Sequence, residues 1–472
     1  MTSVVVIGGG VAGLSAAFEL AGDQARRPDV AVLDAGEPGG ALRRERVGGR
    51  LVDVGPDGFL ARRPEATALV GELGAADELG ELAAQGAWVY ARGRLRPLPA
   101  GLALGVPTRL RAREALRLLG LRGTARAAVD LVAPRPPSRS ALPDRAVGPL
   151  VADKLGRRVV DVLVDPLVGG IHAGRVRDLS AAAVFPPLLD AAQRRGSLMR
   201  ALRAATPSPD RPVGPAFLSL REGMGALTGL LLGALGARGG TVVARGAATA
   251  VHRAAPGATR WVVETDAGAH RADAVVLATP PAVTARLLEP LDESAAALVG
   301  GIDAASVAVV TLRYRPDALT LPEGGTGILV PASADGPAGP FHVTAVTFLD
   351  RKWPHLGRED EVLLRASAGR VDDRRALELD DAELVARVHE ELGRLVAAED
   401  EPLEAHVTRW EDAFPQYRVN HLVRVEGIEA AVATLGGLAV AGAAYRGVGV
   451  PACIGSGRGA AREVRAWLIG QS

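Results

Sequence analysis

The apolar pattern of the chain opens on a solid run. Val4, Val5, Val6 and Ile7 show no polar alternation, as expected of a strand covered on both faces in a parallel sheet. Three glycines end the run, and "VAGLSAAFELA" (11–21) continues as a helix. A second strand is predicted in "DVAVLDAG" (29–36), a strand pair in "GGTVVARGAATAVHR" (239–253) and another buried strand in "ADAVVLATPP" (272–281). Residues 286–431 alternate strands, such as "SVAVVTLRY" and "HVTAVTFLD", with one charged helix, "DAELVARVHEELGRLV". That helix repeats apolar positions at helical spacing, and its charges form a solvated face. Residues 101–213 read as mostly helical, with a proline-rich loop at "APRPPSRSALP" (133–143). The chain closes on "PACIGSGRGAAREVRAWLIG" (451–470), a helix with Pro451 in its first turn.

Composition narrows the class. The 472 residues suffice for two or three domains, and 48% hydrophobic against 23% charged is ordinary for a globular chain. A net charge of +1 argues against a general nucleic-acid binder. Cys453 is the single cysteine, so no internal disulfide framework exists and a reducing cytoplasm is expected. No leader pattern opens the chain, and no apolar run reaches the ~18 residues of a membrane span. The histidines are scattered without metal-ligand spacing, so no metal site is expected, and no G-x-S-x-G elbow supports a hydrolase. In "LRAREALRLLGLRGTARAAVDLV" (110–132), Arg111, Arg113, Arg117, Arg122 and Arg126 outnumber Glu114 and Asp130. Two readings of this basic amphipathic segment stay open: core packing with a solvated face, and contact with an anionic membrane surface.

The glycines carry chemistry. Gly8, Gly10 and Gly13 satisfy G-x-G-x-x-G, with Gly9, Val11 and Ala12 between them. The first permits a tight turn, the second lets a pyrophosphate approach the backbone, and the third lets helix and strand pack closely. The helix N-terminus then faces the phosphates. Asp34 ends the second strand 21 positions beyond Gly13, followed by Ala35, where a carboxylate can hold a ribose diol. A dinucleotide is therefore expected. A second glycine-rich region, Gly39-Gly40-Ala41 and then Gly55-Pro56-Asp57-Gly58, gives a flat ring close access to backbone and favours a flavin over a nicotinamide.

Four further stretches carry a resemblance. They are "LVDPLVGGIHAGRVRDLS" (163–180), "FLSLREGMGALTGLL" (217–231), "ADAVVLATPP" (272–281) and "AGAAYRGVGVPACIGSGRGAAREV" (441–464). Together with the opening motif, the chain resembles the FAD-dependent amine oxidase superfamily, and within it the protoporphyrinogen and coproporphyrinogen oxidases. The resemblance implies an α/β fold, α+β overall. A Rossmann-like FAD domain of the amine oxidase/p-hydroxybenzoate hydroxylase type is discontinuous over 1–85, 214–285 and 432–472. A mixed-sheet substrate domain spans 286–431, and a mostly helical insertion, 86–213, adds to the pocket. It also implies non-covalent FAD, with Thr249 near the adenine and Ala443, Val448, Gly449 and Val450 at the flavin. Gly442, Gly447 and Gly449 make that loop tight, and Cys453 reads as a small buried hydrophobe. Many members carry a basic or bulky residue after the glycine pair; Ala41 and Leu42 stand there in this chain, leaving Arg43 or Arg50 for the basic contact.

The reaction implied is hydride transfer from a carbon bridge of a porphyrinogen to flavin N5, with loss of a pyrrole proton. Oxygen reoxidises the flavin and leaves as hydrogen peroxide; three cycles remove six electrons. Coproporphyrinogen III is the leading substrate and protoporphyrinogen IX the close alternative. An amine oxidase, a desaturase and a non-catalytic flavin-binding porphyrin carrier are the other readings. Arg62, Arg63 and Arg175 are expected at the carboxylate rim, Arg177 beside them, Gly169 and Gly170 under the macrocycle, and His172 near it. Peripheral membrane contact or a downstream haem-pathway enzyme would be the further partners.

Overall fold

The computed structural model describes residues 2–22, 28–83, 86–133, 144–205, 214–255 and 259–471. A five-stranded parallel sheet organises one part of the protein: β1 (Ser3–Ile7), β2 (Asp29–Leu33), β3 (Thr241–Val243), β4 (Ala274–Leu277) and β5 (Leu438–Val440), in the order β3-β2-β1-β4-β5. Val4 and Val6 pack against the helices α1 (Val11–Leu20), α2 (Ala226–Ala237) and α3 (Val450–Gly470). Val5 and Ile7 face a three-stranded antiparallel sheet, with Trp261 and Val263, and the helix His421–Leu435. Both faces are covered, which is why β1 has no polar alternation. Each such buried side chain contributes about 1.5–3 kcal/mol.

A seven-stranded, mostly antiparallel sheet stands beside this layer. Its order is Glu404–Pro415, Ala304–Tyr314, Val362–Ala368, Val343–Phe348, Gly327–Leu329, Trp88–Ala91, Arg94–Pro97. The helix Asp381–Val396 covers one face with Leu384, Val388, Leu392 and Leu395. Not all its charges are solvated: Glu391 is buried and accepts the backbone N–H groups of His342 and Val343 at 2.9 Å each. A third core holds helices between Ala112 and Ala205.

Three expectations change. Residues 88–97 are not part of a helical insertion: they form two strands that complete the seven-stranded sheet, Ile328 pairing in parallel with Trp88. The segment 110–132 is not one amphipathic rod, because Gly120 at φ 70° kinks the helix Ala112–Val132. Within it Arg126 turns inward to donate to the carbonyls of Asp153 and Lys154. Nor is 239–253 a strand pair; β3 joins the parallel sheet, whereas Ala248–Arg253 pairs with Trp261–Thr265. Residues 134–143 of the expected proline-rich loop lie outside the described residues. Among the described residues no helix is long and apolar enough to cross a membrane.

Candidate active site

The turn from β1 to α1 is shaped by what its glycines exclude. Gly8 sits at φ 107°, and a Cβ there would lie 2.5 Å from the Ala278 carbonyl oxygen. One added at Gly13 would lie 1.9 Å from the Gly8 oxygen, so α1 can approach β1 only without a side chain. One added at Gly10 would meet nothing within 4 Å. That open side, over the first N–H groups of α1, which as in any helix have no intrahelical partner, fits a pyrophosphate. Asp34, half-buried at the end of β2, accepts the Gly9 N–H at 2.6 Å and the Gly36 N–H at 2.8 Å. A carboxylate has about four acceptor positions, so two remain for a ribose diol beside the exposed Ala35. Gly39 donates to the Gly9 carbonyl at 2.8 Å, and a Cβ at Gly40 would lie 3.2 Å from the Gly10 Cα. The two glycine loops thus press against one another. The residues present fit a dinucleotide such as FAD.

A cavity of about 520 Å³ opens from this turn, within the usual ligand range. Val11, Gly39 and Ala41 form its cradle end, and the loop Gly55-Pro56-Asp57-Gly58 one side. Ala443, Val448, Gly449, Val450 and Cys453 form another. Opposite stand Gly169 and Gly170 with Val307, Val309, Thr344, Arg365, Ser367 and Arg370 from the seven-stranded sheet and the turn after it; Trp410 and Phe414 complete that wall. A Cβ at Gly169 would lie 2.8 Å from the Gly174 oxygen, whereas one at Gly170 would meet nothing within 4 Å. Only Gly170 leaves room for a flat ligand against backbone. Gly169 ends, and Gly170 caps, an unusual wide-turn helix, Val160–Gly169, that contains Pro166.

Ionic contacts clamp the loop at Gly55–Gly58. The Asp57 carboxylate takes Lys352 Nζ at 2.9 Å, Trp353 Nε1 at 3.1 Å and Arg365 Nη2 at 3.3 Å. Burial alone would raise its pKa, but Arg365 and Lys352 overcome that and hold it well below the carboxylate range. Arg365 also donates to the Gly55 carbonyl at 2.8 Å. Asp53, just before this loop, is buried and accepts the N–H groups of Met224 and Gly225 at 2.7 and 2.9 Å. Burial pushes its pKa up to about 6, against the pull of these two bonds. This is the structural use of the split Gly223-Met224-Gly225 motif.

Other expected site residues lie elsewhere. Arg62 and Arg63 are exposed and neither lines the cavity, Arg63 standing 4.0 Å from Glu65. Arg175 and Arg177 also lie outside its lining, both bound to Asp372 at 2.8 Å. His172 turns away between lining residues: its ring lies 5.5 Å from that of Tyr417, which stacks on His421 at 3.9 Å. Burial, then His421, push its pKa down to about 4, so it is neutral at pH 7. This column braces the C-terminal loop, since Tyr417 Oη donates to the Ala443 carbonyl at 2.5 Å and accepts the Gly447 N–H at 2.8 Å. In that loop Gly442 and Gly447 have φ of 124° and 142°, while Gly449 is an ordinary extended N-cap. Thr249 is exposed and bonds the Glu264 carbonyl at 3.3 Å; the chain that meets Asp34 is Val243–Gly246. Arg43 stacks over Trp410 at 4.8 Å and Arg50 lies 3.3 Å from Glu361, so neither basic substitute lines the cavity. Burial pushes the Cys453 thiol up to about 12, which keeps it from being a thiolate nucleophile. Among the described residues no cluster could hold a metal ion. Arg365, Arg370, Trp410 and Asp53 escaped sequence reasoning; same-face alternation along the strands was a signal for Arg365, Trp410 and Asp53, whereas Arg370 stands in the turn after the strand Val362–Ala368.

The chain matches the Flavin containing amine oxidoreductase family over residues 11–465. It is 30% identical to the coproporphyrinogen III oxidase of Bacillus subtilis, over 99% of this chain and 98% of the relative. With the coproporphyrinogen III oxidase of Mycobacterium tuberculosis it shares 35% identity over 96% of this chain and 95% of the relative. A solved structure of a provisionally assigned protoporphyrinogen oxidase from Exiguobacterium sp. 255-15 superposes with a TM-score of 0.85 at 28% identity, covering 98% of this chain and 99% of that one. With a family match that runs from the first residue of α1 through the cavity loops to most of the closing helix, the chain belongs to the flavin containing amine oxidoreductases and is an FAD-dependent oxidoreductase.

Proposed function

We propose that this enzyme oxidises coproporphyrinogen III to coproporphyrin III in haem biosynthesis, consuming three molecules of oxygen and releasing three of hydrogen peroxide. The observation that carries the reading is the cavity itself. It joins the flavin-facing loops to a largely apolar wall, with open backbone at Gly170 and arginines at its polar positions. The names of the Bacillus and Mycobacterium relatives support the same substrate. In this reading 1–85, 214–285 and 432–472 hold FAD, and 286–431 with the strands at 88–97 frame the substrate.

FAD, when bound, accepts hydride and returns the electrons to oxygen. The protein holds the reacting partners and sets the field. The Asp57 clamp and the Tyr417 brace fix the two loops that would grip the ring. Asp57 stays ionised and engaged by its donors, so it serves as a fixed charge and not as a proton carrier. His172, turned from the cavity, is assigned to packing. The pyrrole proton passes to water, since Asp57, the one carboxylate among the described residues of the cavity lining, is held by its donors. Protoporphyrinogen IX is the second reading, favoured by the Exiguobacterium similarity. The ratio of kcat/KM for the two porphyrinogens decides between them: a preference for coproporphyrinogen III supports the proposal, and a reversed ratio overturns it.

Cytoplasmic residence with peripheral membrane contact extends this proposal. Leu121 and Val132 are 76% and 82% exposed on the helix that carries Arg117 and Arg122. Co-sedimentation with anionic vesicles tests it, and its loss in Leu121→Asp would assign the contact to this helix.

A further inference from the structure

Two arginines reach the cavity wall, and their hydrogen-bonding states differ. Arg365 is engaged by the carbonyls of Asp53 and Gly55 and by the Asp57 carboxylate. Arg370 is more deeply buried, 6% exposed, yet more loosely held. Its Nη2 donates to the Val330 carbonyl at 2.9 Å, and its Nη1 lies 3.4 Å from Asp165 Oδ2. A charge-assisted N–H···O bond is normally about 2.7–2.9 Å, so this hydrogen bond is a long one, and unlike Arg365 the group has a single carbonyl partner beside it. Asp165 is shared as well: Arg175 stands 3.7 Å from the same oxygen, and Oδ1 accepts the Val176 N–H at 3.1 Å. Arg175 finds its closer partner in Asp372.

Place and chemistry agree. Arg370 follows Gly369, at φ 97°, at the end of the strand Val362–Ala368. Asp165 connects it to the floor, because its Oδ1 would lie 3.3 Å from a Cβ on Gly169. Asp372 and Asp373 also act on the Arg370 charge from the turn beyond, but among the described residues Asp165 is the one carboxylate that hydrogen-bonds it, over a long and shared contact. A guanidinium held this way at the edge of a mostly apolar chamber is matched by an incoming carboxylate.

We infer that Arg370 anchors a peripheral carboxylate of the tetrapyrrole, a propionate, at the Gly169–Gly170 end of the cavity. This rests on the function proposed above. It moves the carboxylate anchor from the exposed Arg62, Arg63 and Arg177 to an interior residue.

The test uses the FAD-loaded enzyme with coproporphyrinogen III and with its tetramethyl ester, which has the same ring and no carboxylates. Arg370→Gln is expected to raise KM for the acid roughly ten- to a hundredfold, to change kcat little, and to leave the ester unaffected. Arg370→Lys, which keeps the charge without the fork, is expected to recover part of the acid's affinity. Equal losses on acid and ester, or no loss on either, would overturn the anchor and reduce Arg370 to a packing residue. Should the Gln variant fail to retain flavin, the Lys variant is read by the same acid-to-ester ratio. Wild-type enzyme inactive on both compounds would instead refute the proposed function, and the anchor with it.

Discussion

In the cradle, a methyl group added at Gly13 would lie 1.9 Å from a backbone oxygen; in the wall, one added at Gly170 would meet open space. The same residue type is forced by the protein's own packing in one region and left free for a ligand in the other. The cradle is a backbone device, in which glycines let β1, α1 and the Gly39–Gly40 loop approach within contact distance. The wall is a side-chain device, assembled from strands far apart in the chain, where sheet register decides which side chains face the cavity. Substitutions in the first region should therefore act through folding, and in the second through substrate.

The sharpest break of that contrast lies inside the cradle. Gly13→Ala is expected to leave little folded, flavin-loaded protein, because the clash is with backbone and cannot be relieved by a rotamer. Gly10→Ala is expected to keep the melting temperature of the apoprotein while weakening FAD binding, since its new methyl enters the space left for the pyrophosphate. A Gly13→Ala protein with wild-type stability would show that the close packing is not required.

Next in size is the clamp between the regions. Asp57→Asn leaves Lys352 and Arg365 without their shared charge, and loss of one member of a buried ion cluster costs about 3–5 kcal/mol. Denaturant unfolding measures it. Acid adds a control. The folded Asp57 carboxyl titrates below its unfolded value, so its stabilisation is present above about pH 4 and fades as the pH falls further. Wild type should lose stability below that pH more steeply than Asp57→Asn; parallel curves would place the effect elsewhere.

How far the two regions could be read in advance follows from the same difference. Gly8, Gly10 and Gly13 announce themselves because their geometry is set within a few residues of one another, and Asp34 is placed by the length of one βα unit. Pro451 likewise marks the start of α3 locally. Trp410 could not be read this way, since nothing near it in the chain says which sheet face it occupies, nor could Arg370, which is placed by the turn that follows the strand Val362–Ala368. Arg62 and Arg63 seemed well placed because they follow the Gly55–Gly58 loop, yet the chain turns at Leu60 into the helix Pro64–Glu72 and leaves them in solvent. The His172 motif was visible, but its helical turn points the ring at Tyr417. The strands at 88–97 pair with one another locally, but the partner that joins Trp88–Ala91 to the large sheet lies more than two hundred residues away.

Smaller effects sharpen the boundary. Asp34→Ala is expected to weaken FAD binding by about 1.5–3 kcal/mol, and equilibrium dialysis at low FAD checks it. Full flavin retention would remove Asp34 from the site. Gly170→Ala is expected to raise KM for the porphyrinogen several-fold at unchanged melting temperature, whereas Gly169→Ala should lower the melting temperature first. The reverse ranking would mean that the open side of Gly170 does not face substrate.

The central claim is that this cavity brings coproporphyrinogen III against bound FAD. Anaerobic rapid mixing of the FAD-loaded enzyme with coproporphyrinogen III tests it in a single turnover. The account predicts that the oxidised-flavin absorbance bleaches as a porphyrin spectrum grows, and that admitting oxygen restores the flavin. An unbleached flavin with coproporphyrinogen III, in enzyme that protoporphyrinogen IX or an amine does reduce, would contradict it.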